Sequence, residues 1–175
     1  MEHVMIDLET LGRRAGCSIL SIGAVAFDPV TKQLGPEFYV VVNRFSCSIM
    51  NLHEDPETIR WWEGQSAEAR KILMEVDGTC GESLIDALKK LSEYLSQFGL
   101  GKVKIWGNGS DFDNSILAHC YAQIGKDTPW LFWNNRCYRT LKSLKPDIKM
   151  VRQGTYHNAL DDAKSQAVHA IELLG

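Results

Sequence analysis

The stretch HVMIDLETLG, residues 3–12, decides how this chain is read. Its dense apolar run reads as a buried strand, yet it carries two acids one residue apart. Successive strand side chains point to opposite faces, so Val4, Ile6 and Leu8 share one side while Met5, Asp7 and Glu9 share the other. Two carboxylates roughly 7 Å apart on one face repel each other and resist losing water. Either that face meets solvent, or something positive sits on it.

Outward from this strand, residues 19–27 and 37–42 form two more strand-like runs, the last rich in β-branched and aromatic residues. DPVTKQLG (28–35) between them has the punctuation of a hairpin, so antiparallel pairing of all three is expected. From Asp55 the period changes. DPETIRWW offers an N-cap followed by Pro at the first helical position, and residues 66–75 continue helically. GESLIDALKKLSEYLSQFG (81–99) repeats apolar residues at Leu84, Ala87, Leu88, Leu91 and Leu95, an amphipathic helix. KVKIWGNG (102–109) reads as a fourth strand, followed by helices over DFDNSILAHCYAQIG and HNALDDAKSQAVHAIELLG. Strands first, then helices alternating with at least one further strand, indicate an α/β fold: a mixed sheet flanked by helices. At 175 residues, with no repeat or linker, residues 1–175 are expected to be one domain.

Two more acids fall where packing is expected. On a helical wheel Phe112, Ile116, Leu117, Cys120 and Ile124 form an apolar arc with Asp113 near its middle and Asp111 opposite. In the last helix Ala159, Ala163, Ala167, Ala170, Ile171 and Leu174 face inward. Asp162 borders that stripe, and Asp161 points outward beside Ser165 and Glu172. Asp7, Glu9, Asp113 and Asp162 thus aim at packed faces from three elements. Hard oxygen donors converging in this way suit Mg²⁺ or Mn²⁺, and two such ions support phosphodiester hydrolysis. Taken singly, each acid has a plain alternative: an exposed strand edge for Asp7 and Glu9, a dipole-favoured first turn for Asp113, a surface position for Asp162. His157, five residues ahead of Asp162, is the one histidine of five with an Asp at that spacing. Beside a metal-bound water, neutral imidazole could take a proton near pH 7.

The net charge of −3 marks no strongly basic binder, although local field matters more than the total. Cys17, Cys47, Cys80, Cys120 and Cys137 form a scattered, odd set, which argues against a disulfide framework or zinc site and fits a reducing compartment. No stretch approaches a membrane span and no leader pattern precedes the first strand, so a cytoplasmic protein without membrane partners is expected.

The segments DLET (7–10), DFDNSIL (111–117) and HNALDDA (157–163) resemble, in order, the three motifs of the DEDDh (DnaQ-like) 3′–5′ exonucleases of ribonuclease-H-like fold. TIRWW and IWGNGSDFDN are most similar to a phage-type branch that includes DexA-like exonucleases and small bacterial exoribonucleases; the helix carrying Trp61 and Trp62 departs from the proofreading branch. The resemblance implies that Asp7, Glu9 and Asp162 hold a catalytic metal, with Asp7 bridging to a second ion and Asp113 assisting that ion through water. His157 would be the general base. The cofactors implied are two Mg²⁺ ions, with Mn²⁺ as the alternative.

It also implies a grip on the 3′ end of single-stranded DNA or RNA by Thr10, Leu11 and Gly12. Thr10 would bond the terminal sugar, and Leu11 would either wedge against the base or simply pack. Trp61 and Trp62 could stack on bases. They point about 100° apart on a helix, so one is expected in the cleft and one in the core. Residues 136–152, with six Lys or Arg and only Asp147 as an acid, read as a solvated surface or a phosphate track. The activity expected is a metal-dependent 3′–5′ exonuclease releasing nucleoside 5′-monophosphates. The alternatives are a ribonuclease-H-like endonuclease and a non-catalytic nucleic-acid-binding module. Related small exoribonucleases suggest a homodimer by analogy.

Overall fold

The computed structural model describes residues 1–77 and 81–175; Cys80 lies outside them. The four other cysteines are free thiols. Strands β1 (His3–Thr10), β2 (Ile19–Asp28) and β3 (Gln33–Val41) are followed by helices α1 (Arg44–Ile49), α2 (Pro56–Glu63), α3 (Ala67–Asp77) and α4 (Leu84–Ser96). Strand β4 (Lys104–Gly107), helix α5 (Asp113–Gln123), strand β5 (Asn135–Cys137) and helices α6 (Tyr138–Leu144) and α7 (Ala159–Leu174) complete the order. The five strands lie in the order β3-β2-β1-β4-β5, with the first three antiparallel and β4 and β5 parallel to β1.

The alternation in β1 feeds two cores. Val4, Ile6 and Leu8 pack with Leu88 and Leu91 of α4 and with Ile116, Leu117 and Cys120 of α5. Met5, on the other face, packs with Val25, Phe27, Trp106 and the Ala163–Ala167–Ala170 stripe of α7. The sheet is therefore covered on both sides, and its two acids stand at the carboxyl end of a central strand rather than on a wet edge. In α7 the inward residue near the end is Leu173, while Leu174 is exposed, a correction to the wheel. Ser165 is also buried, because residues 145–157 lie over that side of the helix and Gln153 bonds its hydroxyl.

Gly23 fixes where α7 begins. It pairs with Asp7 across β1 and β2. A Cβ at this position would run into the Ala159 carbonyl and the Leu160 amide of the first turn of α7. Backbone thus meets backbone here, and Asp162 is carried to the end of β1. Gly23→Ala should cost about 1–3 kcal/mol through overpacking against atoms that cannot yield. Chemical denaturation checks this, and a cost below that range would mean α7 can shift without penalty.

Candidate active site

Strand β1 brings Asp7 and Glu9 to its carboxyl end, with a register shift between Glu9 and Thr10. Such irregularities re-aim side chains near sites. Helix α7 supplies Asp162 from its first turn, capped by Asn158, whose side chain accepts from the Leu160 and Asp161 amides. Donor atoms of Glu9, His157 and Asp162 lie within 4.8 Å of one another. Asp7 shares their cavity of 250 Å³, and its Oδ1 accepts from Gln166 Nε2 at 2.7 Å. Asp113 stands behind β1, 2% exposed, accepting from the Leu8 amide at 3.2 Å and the Asn108 amide at 2.8 Å. Asp111, its neighbour, is exposed.

Charge crowding at this point is severe. Burial, then Asp113 and Glu9, push the Asp7 carboxyl well above the usual carboxylate range. Burial and then Asp113 raise Glu9 to about 8. Burial raises Asp113 to about 7 despite its two amide donors. Arg139 acts weakly on Asp113, and Arg152 pairs with Asp162 Oδ1. Its charge, after burial, also lowers the His157 pKa, which keeps the imidazole neutral near pH 7. Asp7, Glu9 and Asp162 turn oxygen donors into one cavity with Asp113 close behind, and the four acids outnumber Arg152 and Lys142, the two cations that line it. That donor set fits divalent cations.

A second cavity, of 490 Å³, opens from Glu9 and is lined by Leu8, Thr10, Gly12, Arg13, Trp61, Trp62 and Phe112 among others. Trp61 is 46% exposed and meets His157 edge-to-face at 4.9 Å. Trp62 is 1% exposed and donates from Nε1 to the Thr10 carbonyl, pinning the turn after β1. The Thr10 hydroxyl donates to the Gly12 carbonyl at 2.7 Å. Leu11 does not reach the cavity. It is 1% exposed and packs with Leu20, Trp62 and Ile72, so packing replaces the wedge as its role here. The turn after β1 points it back into the core.

The basic segment is mostly committed elsewhere. Arg136, Lys145 and Lys149 donate to backbone carbonyls, and only Lys142 and Arg152 line the acidic cavity. Within 136–152, then, two cations reach the acidic cavity and the others lie outside it. Sequence reasoning missed Arg152 as a partner of Asp162, hidden among six similar charges. It also missed Gln166, although that residue stands four places after Asp162 on the same helical face, and Phe112 as a wall of the larger cavity.

Among the described residues no helix is long and apolar enough to cross a membrane. The exodeoxyribonuclease of Enterobacteria phage T4 is 30% identical over 162 residues, spanning 80% of this chain and 70% of the phage protein. The nuclease domain of 3′hExo, a DEDDh family member bound to rAMP, superposes with a TM-score of 0.64 at 19% identity, covering 98% of this chain and 90% of that one. E. coli exonuclease I in complex with a dT13 oligonucleotide gives 0.65 at 15% identity, over 97% of this chain and 40% of that one. These likenesses give the ribonuclease-H-like fold of DEDDh exonucleases. The family described as "3'-5' exoribonuclease Rv2179c-like domain" matches residues 2–174, and the chain belongs to it as a metal-dependent 3′–5′ exonuclease.

Proposed function

We propose that the cavity of Asp7, Glu9, His157 and Asp162 hydrolyses the terminal phosphodiester of single-stranded nucleic acid, releasing nucleoside 5′-monophosphates. The observation that carries this is the meeting of Glu9, His157 and Asp162 within 4.8 Å, from elements far apart in sequence. Asp7, Glu9 and Asp162 would hold Mg²⁺, or Mn²⁺, with Asp113 supporting a second ion from behind the strand. When bound, such ions lower the pKa of water and stabilise charge on the leaving oxygen. His157, neutral near pH 7, accepts the proton of the attacking water. Trp61 and Phe112 offer faces to the terminal base, and Thr10 and Gly12 line the place for its sugar. A neighbour bound to rAMP and another bound to dT13 support a nucleic-acid ligand for this fold.

The curated relative is an exodeoxyribonuclease and the family an exoribonuclease, so the test pairs the two sugars. Matched 5′-labelled RNA and DNA single strands in Mg²⁺ should shorten stepwise, with nucleoside 5′-monophosphates as the product. A circular single strand should stay intact. Cleavage of the circle, or products bearing 3′-phosphates, would replace this reading with an endonuclease or a different chemistry.

A further inference from the structure

Residues 145–157 run back along α7 from its end to its start, and very little of this strap is buried. Val151 and Tyr156 are exposed, while Ile148 and Met150 are 36% and 38% exposed and so lie partly covered. No side chain between 145 and 156 is fully buried, and apolar packing alone does not hold the strap. Polar contacts are spaced along the helix in antiparallel order. Lys145 Nζ donates to the Leu173 carbonyl at 2.6 Å, His169 Nε2 meets the Ile148 carbonyl at 3.0 Å, and the Gln153 amide donates to Ser165 Oγ at 2.9 Å. The Thr155 amide then donates to Asp161 Oδ2 at 2.8 Å.

The strap delivers two residues to the acids. Arg152 stacks over the Tyr156 ring at 4.0 Å and pairs with Asp162. His157 follows with φ 60, a left-handed backbone that a non-glycine residue keeps only when its surroundings hold it there. Both depend on where the strap lies.

We infer that His169 is a positioning residue, the buried clasp through which α7 fixes the strap and so sets Arg152 and His157. A carbonyl only accepts, so His169 Nε2 must carry the proton toward Ile148. Nδ1 is then an acceptor, and the hydroxyl of buried Tyr138, 2.7 Å away, donates to it. Met150 Sδ lies 3.5 Å from that same hydroxyl, a second contact between clasp and strap. Losing the imidazole would leave the Ile148 carbonyl without its donor and the buried hydroxyl with only the weak Met150 Sδ acceptor. Such a clasp works at a distance, because a small displacement of reacting groups is costly in rate.

The inference rests on the reading of His157 as general base, and the test separates the two. In His169→Leu, which keeps volume and removes both ring nitrogens, the Gln153 and Thr155 amides should exchange with solvent about 10-fold faster or more. Its kcat should fall about 10- to 100-fold while KM stays near wild type. His169→Gln, which retains a donor for the Ile148 carbonyl, should recover most of both. Leu91→Ala, a core truncation remote from the strap, should lower the melting temperature and leave strap exchange and kcat unchanged. Wild-type exchange or wild-type kcat in His169→Leu would overturn the inference. If that variant does not fold, Tyr138→Phe deletes only the hydroxyl and must move both readouts in the same direction; no movement overturns the inference equally. His157→Ala, assayed alongside, should be nearly inactive. Full activity there would sink the general-base reading, whatever the strap exchange shows.

Discussion

Asp7→Asn should abolish trimming and, with metals chelated, make the protein harder to melt. The side chain keeps its shape and can still accept from Gln166. It loses the charge that a cation needs, and hydrolysis should drop by about 10³-fold or more, the scale on which removal of one transition-state stabiliser is felt. The gain in stability follows from the same crowding: burial, Asp113 and Glu9 all oppose ionisation of Asp7. Functional sites commonly trade stability in this manner. A pH series makes the effect specific. In the unfolded chain Glu9 and Asp113 lose their protons near 4.5 and 3.8, but in the folded chain near 8 and 7. The folded state therefore binds more protons between those limits, and its stability falls as pH rises. His3, lowered to about 4 chiefly by burial, pulls the opposite way around its unfolded value of 6.5, and that contribution fades above about pH 7. Melting in chelator from about pH 7 to 8 should show wild type weakening toward pH 8, and Asp7→Asn weakening less. A variant that trims normally, or that melts lower than wild type in chelator, contradicts this.

His157→Ala should cost about 10²- to 10⁴-fold in kcat, the usual worth of a positioned proton acceptor. Burial and the Arg152 charge lower its pKa, so the acid limb of the wild-type rate profile should fall below pH 6.5. The base must be neutral to act, hence activity disappears as pH drops through that limb. In His157→Ala the residual rate should lose the limb. A variant that keeps it would place the titrating group elsewhere. Trp61, edge-on at 4.9 Å, limits how the imidazole can turn.

Much of this site was legible in the sequence because burial of charge is a local, periodic signal. The wheel chose Asp113 over Asp111 and the β1 alternation put Asp7 and Glu9 on one face; the fold has Asp113 buried, and Met5 and Leu8 in opposite cores. Asp162 is likewise buried and Asp161 is not. What failed depended on contacts between distant segments. Ser165 reads as a surface residue until the strap covers it, and Leu11 stays open between wedging and packing until the turn after β1 sends it inward. Strand β5 spans three residues, and helices α1 and α6 six and seven, too short for periodicity to register. Arg152 could not be told from its basic neighbours by charge alone. Its pairing with Asp162 arises from the strap's path along α7.

The most direct measurement is anomalous diffraction from crystals of the full chain soaked in Mn²⁺. Manganese density should stand between Glu9 and Asp162, with Asp7 beside it, and should disappear in Asp162→Asn. An ordered site with these carboxylates in place and no manganese among them would contradict the claim that the acids gather to bind a divalent cation.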